Sequence, residues 1–242
     1  METLEWIDDS SGARVLPFGL GLIAGSVDVI SFLGLNGLFT AHITGNLVIL
    51  AAHIVAGGQA SLALAISVPV FIVALAGARL LAEALERARI APLSILLLLQ
   101  FILLCAFLAI CIVADSHVGP NAPSMIIAGM LGVSAMAIQN ALVRIALTGA
   151  PSTAVLTTNI TILTTDVGEM LFGRDANRVA QARDRARHTW PAVAGFLLGC
   201  SLGAACEAFL GLPSLVLPTG FALIALTLGM EPGAKASCVR KE

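Results

Sequence analysis

Charge is scarce in this chain of 242 residues: Asp, Glu, Lys and Arg together make up 12% of it. A water-soluble domain of this size carries about 25%, so half of the usual hydrated surface is missing. No basic patch with interleaved aromatics breaks the greasiness, and the net charge is only −2. No nucleic acid partner is therefore expected. Cysteine is no more informative. Cys105, Cys111, Cys200 and Cys206 lie inside apolar runs, where they act as small hydrophobes, and Cys238 sits in the tail. No CxxC spacing marks a redox or metal function. A Walker loop, a GxSxG elbow and an HExxH helix are all missing, and His42, His53, His117 and His188 are scattered. The expectation is a protein that is not an enzyme and holds neither metal nor cofactor. The opening METLEWIDDSSGAR is acidic where a secretory leader would be basic, so the first apolar run is expected to be a retained span.

What the chain has in abundance is unbroken hydrophobicity: 58% of its residues are hydrophobic and the mean hydropathy is +0.96. Ala60–Ala78, Ile90–Ala114 and Ala208–Met230 contain no charge at all. Each has about the length needed to cross a hydrocarbon core. Alternating polarity, the mark of an outer-membrane barrel, is absent. The fold class expected is all-α: a polytopic transmembrane helical bundle of six to eight spans, forming a single membrane domain over 1–242. Apolar segments fall at 15–35, 40–56, 60–79, 91–114, 122–145, 152–171, 189–209 and 213–230. The second is interrupted by Gly45. Gly211, Leu212 and Pro213 alone separate the last two, which could be two tight spans or one span with a re-entrant piece.

Two hydrophilic connectors interrupt this pattern. RLLAEALERAR (79–89) continues the third segment as an amphipathic helix, with Glu83 four residues before Arg87. GRDANRVAQARDRAR (173–187, to His188 at the next span) carries five arginines and reads as a polar cytoplasmic connector. With eight spans and both termini inside, 79–89 falls on the wrong side of the membrane for its arginines. One re-entrant segment would put both connectors inside.

The exception to the greasiness is TAHITGN, residues 40–46. Shifting the chain by 113 residues lays TAHITGNLVIL (40–50) over TAVLTTNITIL (153–163), matching Thr40 to Thr153, Thr44 to Thr157 and Asn46 to Asn159. Upstream of each lies a polar group in a span, Asp28 or the Gln139-Asn140 pair, and a break at Gly37 or Pro151. The reading is an internal two-fold repeat with halves 15–114 and 122–230. Interrupted polar segments at matching positions of two halves are where many transporters build a site, because polar groups survive in lipid only where protein or a wet cavity surrounds them.

AGSVDVISFLGLNGLFTAHITGNLVIL (24–50) resembles the signature of the YoaK-like family of bacterial inner-membrane proteins, and Gln139-Asn140 is similar to that family's Gln-Asn pair. The second copy departs from Thr-Gly-Asn, reading Thr157-Thr158-Asn159. The resemblance implies a multi-pass protein of the bacterial inner (plasma) membrane and names no substrate.

The candidate substrate- or ion-binding residues are Asp28, Thr40, Thr44, Asn46, Gln139, Asn140, Thr153, Thr157 and Asn159. Asp28 is a carboxylate deep in a span, costly unless paired, hydrated or protonated; its bland reading is a buried structural acid. The threonines are spaced to share a helix face, and such hydroxyls often just bond the carbonyl a turn earlier. The asparagines must find partners, across the repeat interface or on broken backbone. His53 falls opposite Asp166 in the alignment, which would allow a pair if the two segments met. Arg144 either snorkels to the interface or pairs with Asp28. Glu207 is a gate or merely interfacial. Gly195, Gly199 and Gly203 make a helix-packing face. Two functions follow: a small-solute or ion-coupled transporter with a polar site between its halves, or a non-catalytic membrane scaffold whose polar motif only locks helices. The expected partners are the lipid bilayer and a small molecule or ion.

Overall fold

The structure, a computed structural model, describes residues 12–57, 62–114, 119, 121–147 and 156–230, with backbone alone for 12–14. All regular structure among them is helical: α1 Gly12–Gly34, α2 Ile43–Val55, α3 Leu62–Arg87, α4 Pro92–Val113, α5 Pro123–Ala146, α6 Leu156–Phe172, α7 Ala176–Leu210 and α8 Val216–Met230. Six of these, α1, α3, α4, α5, α7 and α8 with the 3-10 turn Leu212–Leu215 before it, are long and apolar enough to cross a membrane. The chain is a multi-pass helical membrane protein. The segments at 40–56 and 152–171 are α2 and α6, with only 13 and 17 residues. Among the described residues the span count is therefore six, the lowest of the expected range.

Boundaries follow local chemistry. Pro92 and Pro123 open α4 and α5, where the missing N–H costs nothing. Asp175 caps α7, its side chain accepting from Asn177 N at 2.9 Å. The hydrophilic stretch 173–187 is not a loose connector: from Ala176 it is the first part of α7 and runs unbroken into the last-but-one span. Gly211, at φ +62°, turns the chain from α7 into the short 3-10 turn.

Small residues set the tightest contact. Along α1 and α7, Phe18 backbone faces Gly195, Leu22 faces Gly199 and Ser26 faces Gly203, with Gly21 and Gly25 returning the fit against Ala192 and Phe196. A Cβ added to Gly21 would lie 2.6 Å from Ala192 O. The glycine ladder is the packing face its four-residue spacing suggested, and its register makes α1 and α7 parallel.

Other contacts fix the remaining directions. Gln100 meets Gln139, and Phe107 meets Gly132, so α4 and α5 are antiparallel. Ser94 Oγ donates to Gly229 O at 3.0 Å, placing the start of α4 beside the end of α8. Gly34, ending α1, touches Leu212 in the α7–α8 turn. The chain thus crosses three times by α4 and three more by α8. The starts of α1 and α4, the ends of α3, α5 and α8, and the hydrophilic part of α7 share one end of the bundle.

The principal packing pairs are α1 with α7 and α8, α5 with α3 and α4, α4 with α8, α2 with α3, and α6 with α7. Leu20, Ile23, Ile30, Leu96, Leu104, Phe107, Met136 and Leu142 fill the centre and are fully buried.

Candidate functional site

The site begins where α1 stops. Leu35 N bonds Ser31 O at 2.8 Å and Gly37 N bonds Phe32 O at 2.9 Å, after which the helix cannot continue. Asn36 (φ +56°) and Gly37 (φ +84°) both take the left-handed conformation, which glycine adopts freely and asparagine tolerates. The chain then doubles back, and α2 starts beside Asp28, six residues or about 9 Å inside the end of α1. From there α2 runs back toward that end, bringing Ile49 next to Gly37. The short helix is thus re-entrant rather than a crossing.

Doubling back inside an apolar bundle leaves backbone amides without helical partners, and lipid supplies none. Two side chains meet that need. Asp28 Oδ1 accepts from Thr40 N at 2.8 Å, from Ala41 N at 2.7 Å and from Thr40 Oγ1 at 3.1 Å. Asn46 Oδ1 accepts from Phe39 N at 2.8 Å, while its Nδ2 donates to Phe39 O at 2.8 Å and to Ser67 Oγ at 3.0 Å. Three consecutive amides, 39 to 41, are therefore satisfied by one acid and one amide. Asp28, Thr40 and Asn46 are all buried, at 2%, 0% and 0% exposure.

The second oxygen of Asp28 bonds His42 Nδ1. With Asp28 ionised, that bond needs the imidazole proton on Nδ1 and leaves Nε2 to face outward. Nε2 makes no hydrogen bond among the described residues. The ring lies edge-on to Phe196 of α7, with centroids 5.3 Å apart, and its side chain is 28% exposed. The carboxylate is sealed while its imidazole partner is accessible. That arrangement can pass a change at His42 directly to the hydrogen bonds that hold the break.

The other expected site residues are distributed elsewhere. Gln139 Oε1 accepts from Gln100 Nε2 at 2.6 Å, and Gln139 Nε2 donates to Leu20 O at 3.0 Å, stitching α4, α5 and α1. Asn140 Nδ2 donates to Met136 O of its own helix. Asn159 is buried and, like Gln139, has further partners. Thr44 and Thr157 are exposed, and Thr157 O accepts from Thr161 Oγ1 at 2.9 Å. Thr153 lies outside the described residues.

Asp28 and Thr40 are thus brought together. Asn46 holds the same break from the other side, yet it bonds within its own half, to Phe39 and Ser67. The segments carrying Asn46 and Asn159 pack on different helices, α3 and α7.

Two proposed pairings are corrected. Asp166 does not meet His53; it accepts from Arg185 Nε at 3.1 Å and Nη2 at 2.6 Å, because α6 folds back on α7. Arg144 is exposed near the end of α5 and leaves Asp28 to the loop. Sequence reasoning also passed over Ser67 and Gln100, each a polar group in an otherwise apolar run, and the Asp28–His42 bond. The signal for Ser67 and Gln100 was the isolation that singled out Asp28. Among the described residues no three of His, Cys, Asp and Glu gather where a metal ion could bind.

A polytopic helical protein with a re-entrant, polar-clamped half-helix is the class that fold and site define. The family model described as a protein of unknown function, DUF1275, matches residues 16–228, and the chain belongs to that family. Neither a curated protein nor a solved structure matches it.

Proposed function

We propose that this protein is a small-solute or ion-coupled transporter of a bacterial inner membrane, not an enzyme, and that the Asp28–His42 unit at the helix break is its responsive element. One observation carries the reading: a sealed carboxylate deep in a span is bonded to an imidazole that is accessible. Ionisable groups at such depth mark substrate and ion pathways. Protonation or ligation of His42 alters the acceptor that Thr40 and Ala41 depend on, and so couples an event at the ring to the shape of the α1–α2 break. Resemblance of residues 24–50 to the YoaK-like proteins fits a location in the bacterial inner membrane.

The pattern of packing pairs supports reading the two halves as an internal repeat. Exchanging α1–α4 with α5–α8 turns the packing pair α1–α7 into α5–α3, α1–α8 into α5–α4, and α2–α3 into α6–α7, and leaves α4–α8 unchanged. With three crossings per half, such a repeat would be inverted, the arrangement in which transporters rock around a central site. Asn159 then corresponds to Asn46.

The test is a thermal-shift screen of a small-molecule and ion library on purified protein, repeated with Asp28→Asn and His42→Gln. A ligand that stabilises wild type and loses its effect in both variants supports the transporter, and uptake into proteoliposomes then follows the same order. Equal uptake by Asp28→Asn and wild type removes Asp28 from the mechanism.

The completeness of the Asn46 clamp favours a second reading, a non-catalytic scaffold whose polar motif only fixes helix packing. A screen without hits, together with stability loss in Asn46→Ala, supports that alternative.

A further inference from the structure

We propose that one end of the bundle is a docking face for anionic phospholipid headgroups of the cytoplasmic leaflet. The argument starts from direction. Since α1, α4 and α7 begin their crossings at one end while α3, α5 and α8 finish theirs there, every arginine of the described spans and connectors lies at that end. Arg79, Arg87 and Arg89 follow from α3, Arg144 from α5, and Arg174 to Arg187 from the α6–α7 turn and the hydrophilic part of α7. Arg14 lies in the first turn of α1, and Lys235, Arg240 and Lys241 follow α8 in the sequence. At the opposite end the described residues present Glu207, His53 in the last turn of α2, and no lysine or arginine.

The conflict that eight crossings create for 79–89 disappears with six. Both arginine-rich connectors then share a side, and cytoplasmic loops carry the basic excess.

Not all of these arginines are consumed by internal pairs. Arg79 pairs with Glu83, Arg178 with Asp175 and Arg185 with Asp166. Arg87, Arg89, Arg144, Arg174, Arg183 and Arg187 are exposed and form no ion pair among the described residues. Six unpaired guanidinium groups stand at this end of the bundle, and three of them, Arg89, Arg144 and Arg187, directly flank the apolar parts of α4, α5 and α7. A guanidinium holds a phosphodiester through paired N–H donors, and the anionic cytoplasmic leaflet attracts basic groups at its surface. Their place beside the apolar ends of the spans and the fit of guanidinium to a phosphodiester commit the occupant to a phospholipid headgroup rather than an acidic protein.

The full chain, purified in neutral detergent, is heated with added phosphatidylcholine or phosphatidylglycerol. Phosphatidylglycerol is expected to raise the unfolding midpoint beyond phosphatidylcholine, and salt to shrink the difference. Arg87→Gln, Arg89→Gln, Arg183→Gln and Arg187→Gln combined should lose that difference and keep the phosphatidylcholine midpoint. Equal responses to the two lipids overturn the proposal, as does a quadruple variant that responds like wild type, or inorganic phosphate alone matching the phosphatidylglycerol shift. If the variant does not fold, native mass spectrometry of wild type decides: retained phosphatidylglycerol supports the site, and retention of both lipids alike overturns it. A fluorescent protein fused after Glu242 should fluoresce in intact bacteria, and a periplasmic reporter there should be silent. The reverse places the arginines outside and refutes the cytoplasmic leaflet.

Discussion

Asn46 grips Phe39 by both of its backbone groups, accepting from the N–H at 2.8 Å and donating to the carbonyl at 2.8 Å. The side-chain amide thereby stands in for the neighbouring strand or helical turn that residues 38–42 lack. Its remaining N–H goes to Ser67 and ties the break to α3. Substitution at Asn46 therefore strands a donor and an acceptor in an apolar interior.

Each polar group abandoned there costs about 1–3 kcal/mol. Asn46→Ala is expected to lower the thermal midpoint in detergent strongly, whereas Thr161→Ala, an exposed hydroxyl bonded to its own helix, should leave it nearly unchanged. Equal midpoints for wild type and Asn46→Ala would show that water, not Asn46, serves Phe39.

At Asp28 the shape of the replacement decides the outcome. Asp28→Asn keeps one oxygen for Thr40 and Ala41 but brings an amide N–H toward His42. Asp28→Leu keeps neither acceptor. The prediction is a folded, monodisperse Asp28→Asn and an aggregated or poorly expressed Asp28→Leu, read by size-exclusion profiles of tagged protein. Indistinguishable profiles for the two would deny the carboxylate its role in holding the loop.

The α1–α7 seam makes a steric prediction. A Cβ on Gly21 would meet Ala192 O at 2.6 Å and Phe196 N at 2.9 Å, both backbone atoms that cannot swing aside. Gly77 and Gly220 have open space instead. Gly21→Val should abolish stable expression, while Gly77→Ala and Gly220→Ala should be tolerated, as measured by detergent melting curves.

Arg185 is half exposed, but its partner Asp166 is 2% exposed, and Asp166 Oδ2 has no hydrogen bond. Removing the guanidinium leaves a buried carboxylate without its donor. Hydrogen bonds to charged groups contribute about 1.5–3 kcal/mol, reduced here by the exposure of Arg185. Arg185→Ala should destabilise, and adding Asp166→Asn in the same chain should restore part of the loss. An additive double variant would show that the two residues do not interact.

Much of the site was legible residue by residue. Asp28, Thr40 and Asn46 stood out because a polar group in a charge-free run needs a reason to be there, and each has one here. Their partners were not legible. The Thr40 N–H that binds Asp28 is twelve positions away and belongs to backbone, which every residue carries alike. His53–Asp166 looked plausible on alignment and failed because α6 folds onto α7, within reach of Arg185. The α2 and α6 segments looked apolar enough to cross, and only their direction after the break showed α2 to be re-entrant.

By itself the sequence determined that the chain lives in a bilayer, spans it by helices and must hide a few polar groups, since hydrophobic runs of spanning length admit no other solution. The tertiary structure alone decided which way each helix points, that the acid at position 28 bonds a loop rather than Arg144, and that the arginines share an end. Those outcomes depend on contacts between residues far apart in the chain, where small glycines and single hydrogen bonds select one packing from many of similar hydrophobicity.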